Sequence, residues 1–165
     1  MTPLYEIRLA GGGDAEAIRA IRNHAVEHLT SMWTTKSISP DDGRAWLADH
    51  LARDAAYVAD AGGEVIGFAS WAPWRPKDGY RFTVENSVYV TAGHQGRGIG
   101  KALLHAAIAG AREAGAHVMI ASIEARNVPS VGLHAALGFE TVGTVREVGT
   151  KFGRWLDLTI MSLPL

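Results

Sequence analysis

A glycine-rich segment between a predicted strand and a predicted helix is the part of the chain best suited to bind a ligand. It runs His94-Gln95-Gly96-Arg97-Gly98-Ile99-Gly100-Lys101. Glycines let a ligand approach the main chain, and free N–H groups at a helix start favour an anion. A Walker A loop would need glycine at Gln95 and Ser or Thr at Ala102, and the G-x-G-x-x-G dinucleotide pattern would need glycine at Lys101. The segment therefore predicts a phosphate-binding loop of another kind, or else a glycine-rich turn without a ligand.

A second segment, His24-Ala25-Val26-Glu27-His28, spells H-x-x-E-H, the pattern of the inverted zinc-protease motif. Histidines four residues apart on a helix share a face and can hold a metal ion together. However, no downstream motif supplies an evident third ligand, and Ala25 is needed for the buried side of the same helix. We therefore expect the polar faces of a half-buried helix, and a zinc hydrolase that uses His24, Glu27 and His28 is kept as an alternative.

Composition narrows the classes of function further. Of the 165 residues, 47% are apolar and 20% charged, which predicts one folded domain over residues 1–165. The net charge of −1 lacks the basic excess of a nucleic-acid groove, so no nucleic-acid partner is expected. The absence of cysteine excludes disulfides and thiolate catalysis. No apolar run reaches membrane-helix length and residues 1–8 do not form a leader, so we expect a cytoplasmic protein without a membrane partner.

Hydrophobic periodicity and turn signals predict the elements that position these residues. Asp14 and Ser39 are expected to cap the first two helices, and Gly62-Gly63 predicts a hairpin turn. Two further helices are expected over 99–114 and 127–137. The strands are expected at 5–9, 55–61, 65–71, 81–90, 118–123, 141–148 and 155–163. The resulting order, β-α-α-β-β-β-α-β-α-β-β, predicts an α/β fold with a mixed sheet and helices on both of its faces.

The residues around the glycine loop carry a resemblance to a known family. Gln95, Gly98 and Gly100 match the Q/R-x-x-G-x-G/A pyrophosphate loop of the Gcn5-related N-acetyltransferase (GNAT) superfamily. More narrowly, the chain resembles the phosphinothricin / methionine sulfoximine N-acetyltransferase family almost end to end. The segment 83–90, Asn127 and the segment 134–139 belong to the superfamily resemblance, and the stretches 22–26, 33–34, 68–74 and 151–158 support the narrower one.

The resemblance implies the GNAT fold, with about seven strands and about four helices, and acetyl-CoA as co-substrate without a metal. By the family pattern, the main chain of Val88, Tyr89 and Val90 would hold the pantetheine arm and the acetyl carbonyl. Asn127 would form a hydrogen bond with the pantetheine region. The pyrophosphate would lie against the loop residues Gln95, Gly96, Arg97, Gly98, Ile99, Gly100 and Lys101.

The resemblance also implies that the acceptor is a small amino acid analogue, acetylated on its α-amine by direct attack in a ternary complex. Because an ammonium has no lone pair, the amine needs a base, and Glu85 matches the family's glutamate for that role. His134 stands where the superfamily often has a tyrosine, and it can protonate the departing thiolate or help to deprotonate the amine. Substrate contacts are implied for Trp33, Trp74, Arg75, Pro76, Lys77, Arg81, Glu85, Asn86 and Ser87.

Several features of the acceptor side stay open at this point. Arg75 and Arg81 are candidates for the acceptor's carboxylate, and Trp33 and Trp74 for an apolar wall. The family commonly has histidine where this chain has Asn86, which leaves side-chain specificity unassigned. Another small amine as acceptor, or a non-catalytic CoA-binding module, remain alternatives. Because members of the family are commonly homodimers, we also expect a homodimer.

Overall fold

The computed structural model of the chain describes residues 4–165, and its seven strands form one sheet with helices on both faces. The strands are β1 (Glu6–Leu9), β2 (Ala56–Asp60), β3 (Val65–Pro73), β4 (Thr83–Val90), β5 (Val118–Glu124), β6 (Glu140–Lys151) and β7 (Arg154–Pro164). The helices are α1 (Ala15–His28), α2 (Pro40–Leu51), α3 (Ile99–Glu113) and α4 (Val128–Ala136), with 3-10 turns at Gly12–Asp14 and Asp78–Tyr80. The predicted α/β class and its element order are confirmed.

The strand order is β1-β2-β3-β4-β5-β7-β6, and every neighbouring pair is antiparallel except β4 and β5. The parallel pair is joined over only three positions, Thr83 with Val118, Val84 with Met119 and Glu85 with Ile120. Beyond Glu85 the two strands are no longer paired, although β4 continues for five residues and β5 for four. The centre of the sheet is therefore open at this end.

Each face of the sheet is covered by its own apolar layer. On one face, α1 and α2 pack against β2 and β3 through Ile18, Leu47, Val58 and Phe68, which are all buried. On the other face, α3 contributes an apolar stripe that includes Leu103, Leu104 and Ala107. Because both faces are covered, the ends of the central strands are the part of the sheet left to meet a ligand.

The two predicted helix caps have different outcomes. Ser39 caps α2 as predicted, since its Oγ accepts a hydrogen bond from the N–H of Asp42 at 3.1 Å. The prediction that the Asp14 side chain caps α1 is wrong. Its carboxylate instead accepts two hydrogen bonds from Arg8, at 2.8 and 3.0 Å, and one from the N–H of Gly11. A bidentate, charge-assisted pair is stronger than a single cap contact, so the arginine takes this carboxylate.

The end of β6 holds the connection between α1 and α2. Lys151 is only 3% exposed, and its Nζ donates to the carbonyl oxygens of Ala25, Leu29 and Met32. A cation at the C-terminal end of α1 is also favoured by the helix dipole. Two residues earlier, Gly149 leaves room for the ring of Trp33, which lies directly over its Cα. The far edge of the sheet therefore fixes the segment that follows α1.

Replacing Lys151 with methionine should lower the free energy of unfolding by about 2–4 kcal/mol, because three inward-facing carbonyl oxygens lose their shared donor. Urea unfolding followed by circular dichroism measures the change. Lys36→Met is the matched control, since Lys36 is exposed in the same connection, and it should stay within about 0.5 kcal/mol of the parent. Equal midpoints for the two variants would show that the Lys151 contacts contribute nothing.

Candidate active site

A cavity of about 470 Å³ lies where β4 and β5 part, and we call it the central cavity. Its walls come from β4, β5, the α1–α2 connection and α4, so residues far apart in the sequence meet in it. They are Arg22, 31–34, 85–89, 121–124, Asn127, Ser130, His134 and Leu158. The size suits a small metabolite.

A second cavity of about 680 Å³ adjoins it on the side of the glycine loop, and we call it the loop cavity. Ten of the eleven predicted cofactor residues line it: Val88, Tyr89, Val90, Gln95, Gly96, Gly98, Ile99, Gly100, Lys101 and Asn127. Arg97 is exposed and is not part of the lining. The two cavities adjoin along the residues that line both: Ser31, Val88, Tyr89, Glu124, Asn127 and Ser130.

The glycine loop turns into α3 in a way that leaves main-chain donors free. Gly96 and Gly98 have φ angles of 74° and 79°, in the left-handed region that glycine adopts without strain. Gly98 is the N-cap of α3 and offers no side chain to the first turn, whose N–H groups have no partner within the helix. Lys101 adds a positive charge, as do Arg126 and Arg154, which sequence reasoning missed. This end of the loop cavity is suited to a polyanion.

The main chain of β4 also presents free groups to the gap. Thr91 donates its N–H to the carbonyl oxygen of Ile66, on the β3 side. Because successive residues of a strand alternate in direction, the N–H groups of Val88 and Val90 point the opposite way, into the gap left by β5. In agreement with this, the Val90 carbonyl oxygen lies 3.4 Å from Gln95 Nε2, on the loop. An extended ligand can bind here as a strand would.

Glu85 is the last residue of β4 that still pairs with β5, and its carboxylate lines the central cavity. Burial raises the pKa of this carboxyl above its ordinary value, while the Ser122 hydroxyl and the charge of Arg75 act in the opposite direction. A carboxylate in this position can accept a proton from a group in the cavity closer to neutral pH than an exposed one can.

His134 lies in the same wall, but both of its ring nitrogens are already engaged. Nδ1 is 2.8 Å from the carbonyl oxygen of Ser130, and Nε2 is 3.0 Å from Oδ1 of Asn86. The Nδ2 group of Asn86 donates in turn to the carbonyl oxygen of Ile120 at 3.3 Å. Burial lowers the pKa of His134. Asn86 therefore connects the ring to the main chain of β5.

The residues implied as substrate contacts fall into two groups. Trp33, Glu85, Asn86 and Ser87 line the central cavity. The others follow β3 and line neither cavity: Trp74, Arg75, Pro76, Lys77 and Arg81. There the guanidinium of Arg75 stacks 4.5 Å from the Trp74 ring, and that of Arg81 stacks 4.6 Å from Phe82. Their role in binding substrate stays a prediction.

Sequence reasoning missed six polar residues of the central cavity. They are Arg22, Ser31, Thr34, Ser122, Glu124 and Ser130. Arg22 lies in the stretch 22–26, which supports the family resemblance, and this stretch could have pointed to a functional residue in α1. The periodicity of α1 does not say which of its polar residues faces a cavity, because that depends on how the helix packs.

The H-x-x-E-H segment shows no arrangement for a metal. The His24 and His28 rings do approach each other, with centroids 4.9 Å apart, but Glu27 accepts a hydrogen bond from Ser37. Within residues 4–165, no three His, Asp or Glu side chains are grouped to hold a metal ion, so nothing supports the zinc-hydrolase alternative. In the same range, none of the helices has the length and apolarity to cross a membrane.

The chain matches the family model described as the acetyltransferase (GNAT) family over residues 18–139. It is 46% identical to an L-methionine sulfoximine/L-methionine sulfone acetyltransferase of Salmonella typhimurium, over 96% of this chain and 94% of that protein. It is 38% identical to a phosphinothricin N-acetyltransferase of Alcaligenes faecalis, over 96% of this chain and 82% of that one.

A solved structure from Salmonella typhimurium, determined with its cofactor acetyl-CoA, is similar over the whole fold. Its TM-score is 0.95 at 44% identity, and the alignment covers 98% of this chain and 94% of the other.

Burial of Glu85 predicts one carboxyl group that titrates above the ordinary range for glutamate. In a ¹³C NMR titration, this signal should be absent from Glu85→Gln. Ser122→Ala should raise the pKa of the group further, because the Ser122 hydroxyl favours the charged form. A Glu85 signal with an ordinary midpoint would show that the cavity is well hydrated at this position.

Proposed function

The chain belongs to the acetyltransferase (GNAT) family, and from this premise we propose that it acetylates the α-amino group of a small amino acid analogue. Acetyl-CoA is the donor. The proposed acceptors are of the phosphinothricin, methionine sulfoximine or methionine sulfone type, in line with what the relatives are named for. The dimensions of the central cavity support an acceptor of this size.

The parting of β4 and β5 beside the glycine loop is the observation that carries this proposal. The residues of the loop cavity fit acetyl-CoA by their chemistry. Free N–H groups at the start of α3 and the cation of Lys101 suit its phosphates, and no Cβ at Gly96 or Gly98 obstructs the main chain. The outward N–H groups of Val88 and Val90 suit its amide-containing arm.

The proposed reaction is direct attack in a ternary complex. Glu85 takes a proton from the ammonium, directly or through a water, which leaves the nitrogen with a free electron pair. The nitrogen forms a bond to the acetyl carbon, and the N–H of Val90 donates to the oxygen that becomes negative. The carbonyl then re-forms as the C–S bond breaks. The nitrogen gives up its second proton to become the amide, and a proton passes to the departing sulfur, which leaves as a thiol.

His134 is proposed to support this reaction from the cavity wall. Its Nε2 lies against Asn86, so a direct proton transfer to the leaving thiolate would require that hydrogen bond to open. Until then, the ring connects α4 to β4 through Asn86, while its contact with Ser130 stays within α4.

We also propose that the enzyme is a homodimer in the cytoplasm. Large apolar side chains are exposed on the β6–β7 hairpin, and they support the use of this surface as an interface. They are Val142, Val145, Val148, Phe152 and Trp155. A chain without cysteine tolerates the reducing conditions of the cytoplasm.

A free-thiol release assay with acetyl-CoA tests the function. The panel contains phosphinothricin, methionine sulfoximine, methionine sulfone, ordinary amino acids and aminoglycosides, and turnover is expected with the first three. Turnover only with another amine would overturn the acceptor class and keep the transferase. Acetyl-CoA binding without turnover on the whole panel would favour the binding module instead.

Glu85→Gln should lower kcat by about 10²- to 10⁴-fold, with the affinity for acetyl-CoA unchanged, because the amide cannot accept the proton. In the parent enzyme, kcat/KM should rise with pH as Glu85 loses its proton, with a midpoint above the ordinary carboxyl range. In Glu85→Gln, kcat/KM should not show this rise with pH.

Glu64→Gln is the matched control, since Glu64 is exposed in the β2–β3 turn. It should leave both kcat and the pH profile as they are. If Glu85→Gln turned over at a near-normal rate, another group would have to act as the base.

A further inference from the structure

Arg22 is a guanidinium without a partner in the wall of the central cavity. It lies on α1, is half-buried, and stacks 4.6 Å from the ring of Trp46. Among residues 4–165 it makes no hydrogen bond and no ion pair, whereas Arg8 and Arg19 are each bound to carboxylates. None of its nitrogens is a fully enclosed atom, so each keeps some accessible surface, and the residue lines the central cavity.

A half-buried guanidinium without an anion is costly. Burial lowers the pKa of Arg22, since its surroundings disfavour the charge. The neighbouring phenol of Tyr89 does not neutralise it, because burial raises the pKa of that phenol to about 12. Glu85 and Glu124 line the same cavity, but neither forms an ion pair with Arg22. The charge is therefore available to a ligand.

Ser31 lies beside Arg22 where the two cavities meet, since it lines both of them. The Tyr89 hydroxyl reaches the carbonyl oxygen of Ser31 at 3.5 Å, so the phenol neighbours both Arg22 and Ser31. The Oγ of Ser31 is fully enclosed, so a ligand in the cavity meets the charge of Arg22 and not this hydroxyl.

We infer that Arg22 forms an oxyanion subsite of the central cavity and binds an anionic or sulfonyl-type group of the acceptor. The inference rests on the proposed function and adds to it a requirement for such a group. A guanidinium held flat by an aromatic ring presents its N–H edge in a fixed direction, which suits two oxygens of one group. The group is either the acceptor's carboxylate or an oxygen-bearing group of its side chain.

This subsite differs in place from the one expected from the sequence. Arg75 and Arg81 were the candidates for the carboxylate, but they stack on aromatic rings outside both cavities. Arg22 faces the cavity from α1, on the wall held by Lys151. If Arg22 binds the acceptor, its substitution should weaken acceptor binding more than substitution of Arg75. If Arg75 binds the acceptor, the order should be reversed.

Kinetics of Arg22→Met test the subsite, because methionine keeps an apolar stem over Trp46 and removes the charge. With phosphinothricin and methionine sulfone, KM for the acceptor should rise about 10- to 100-fold, while KM for acetyl-CoA stays within about twofold. Arg22→Lys should recover part of the loss. Ser31→Ala, which removes an enclosed hydroxyl beside Arg22, is the control and should leave KM for the acceptor within about twofold. Arg75→Met, at the position expected from the sequence, should raise this KM less than Arg22→Met does.

Two modified acceptors identify the group that is bound. If Arg22 binds the carboxylate, the carboxamide of methionine sulfone should have a high KM with the parent enzyme, and Arg22→Met should not raise this KM further. If Arg22 binds the side-chain group, methionine, which lacks the sulfone oxygens, should have the high KM that Arg22→Met does not raise. An unchanged acceptor KM for Arg22→Met with both phosphinothricin and methionine sulfone would overturn the inference, as would a larger effect of Arg75→Met.

Thermal unfolding with and without methionine sulfone provides a readout that does not need turnover. The ligand should raise the Tm of the parent and raise that of Arg22→Met less. If the parent shows this shift but acetylates nothing, the proposed function fails and the subsite stands. If the parent is active and its shift equals that of Arg22→Met, the subsite fails and the function stands.

Discussion

Three residue pairs join the parallel strands β4 and β5, and the chemistry of the molecule depends on the ladder ending there. If the pairing continued, the N–H groups of Val88 and Val90 would bond to β5 and the central cavity would be closed. Main-chain groups inside a protein are almost always paired, so an opened central strand is stable when a ligand or water takes the missing places. Beyond Glu85, β4 is such an opened strand, and its outward N–H groups are available to a ligand.

Signals that act over a few residues were predictable from the sequence, and contacts between distant residues were not. Ser39 caps α2 because its partner is three residues away, and Gly98 takes a left-handed turn that few other residues adopt. Asp14 did not cap α1, because Arg8 competes for its carboxylate from the first strand. The cavity-facing place of Arg22 and the burial of Lys151 follow from how α1 packs against the sheet, and no local pattern encodes that.

Two carbonyl oxygens frame the chain of hydrogen bonds through Asn86 and His134. A carbonyl oxygen can only accept, so Nδ1 of His134 must donate to Ser130 and Nδ2 of Asn86 must donate to Ile120. Oδ1 of Asn86 then faces Nε2 of His134, and this contact is a hydrogen bond only when both ring nitrogens carry a proton. Burial disfavours the charge of such a ring, so full hydrogen bonding and burial oppose each other at His134. A histidine in this setting is sensitive to any change in charge within the cavity.

Lys151 and the carbonyl oxygen of Ala25 are separated by 126 residues of sequence. On the ribosome, α1 and the connection that follows it emerge early, and the strand that holds them emerges among the last elements. The glycine loop is complete by then, whereas the wall with Trp33 still lacks its support. The wall with Trp33 therefore depends for its support on the C-terminal hairpin, the last part of the chain to be synthesised.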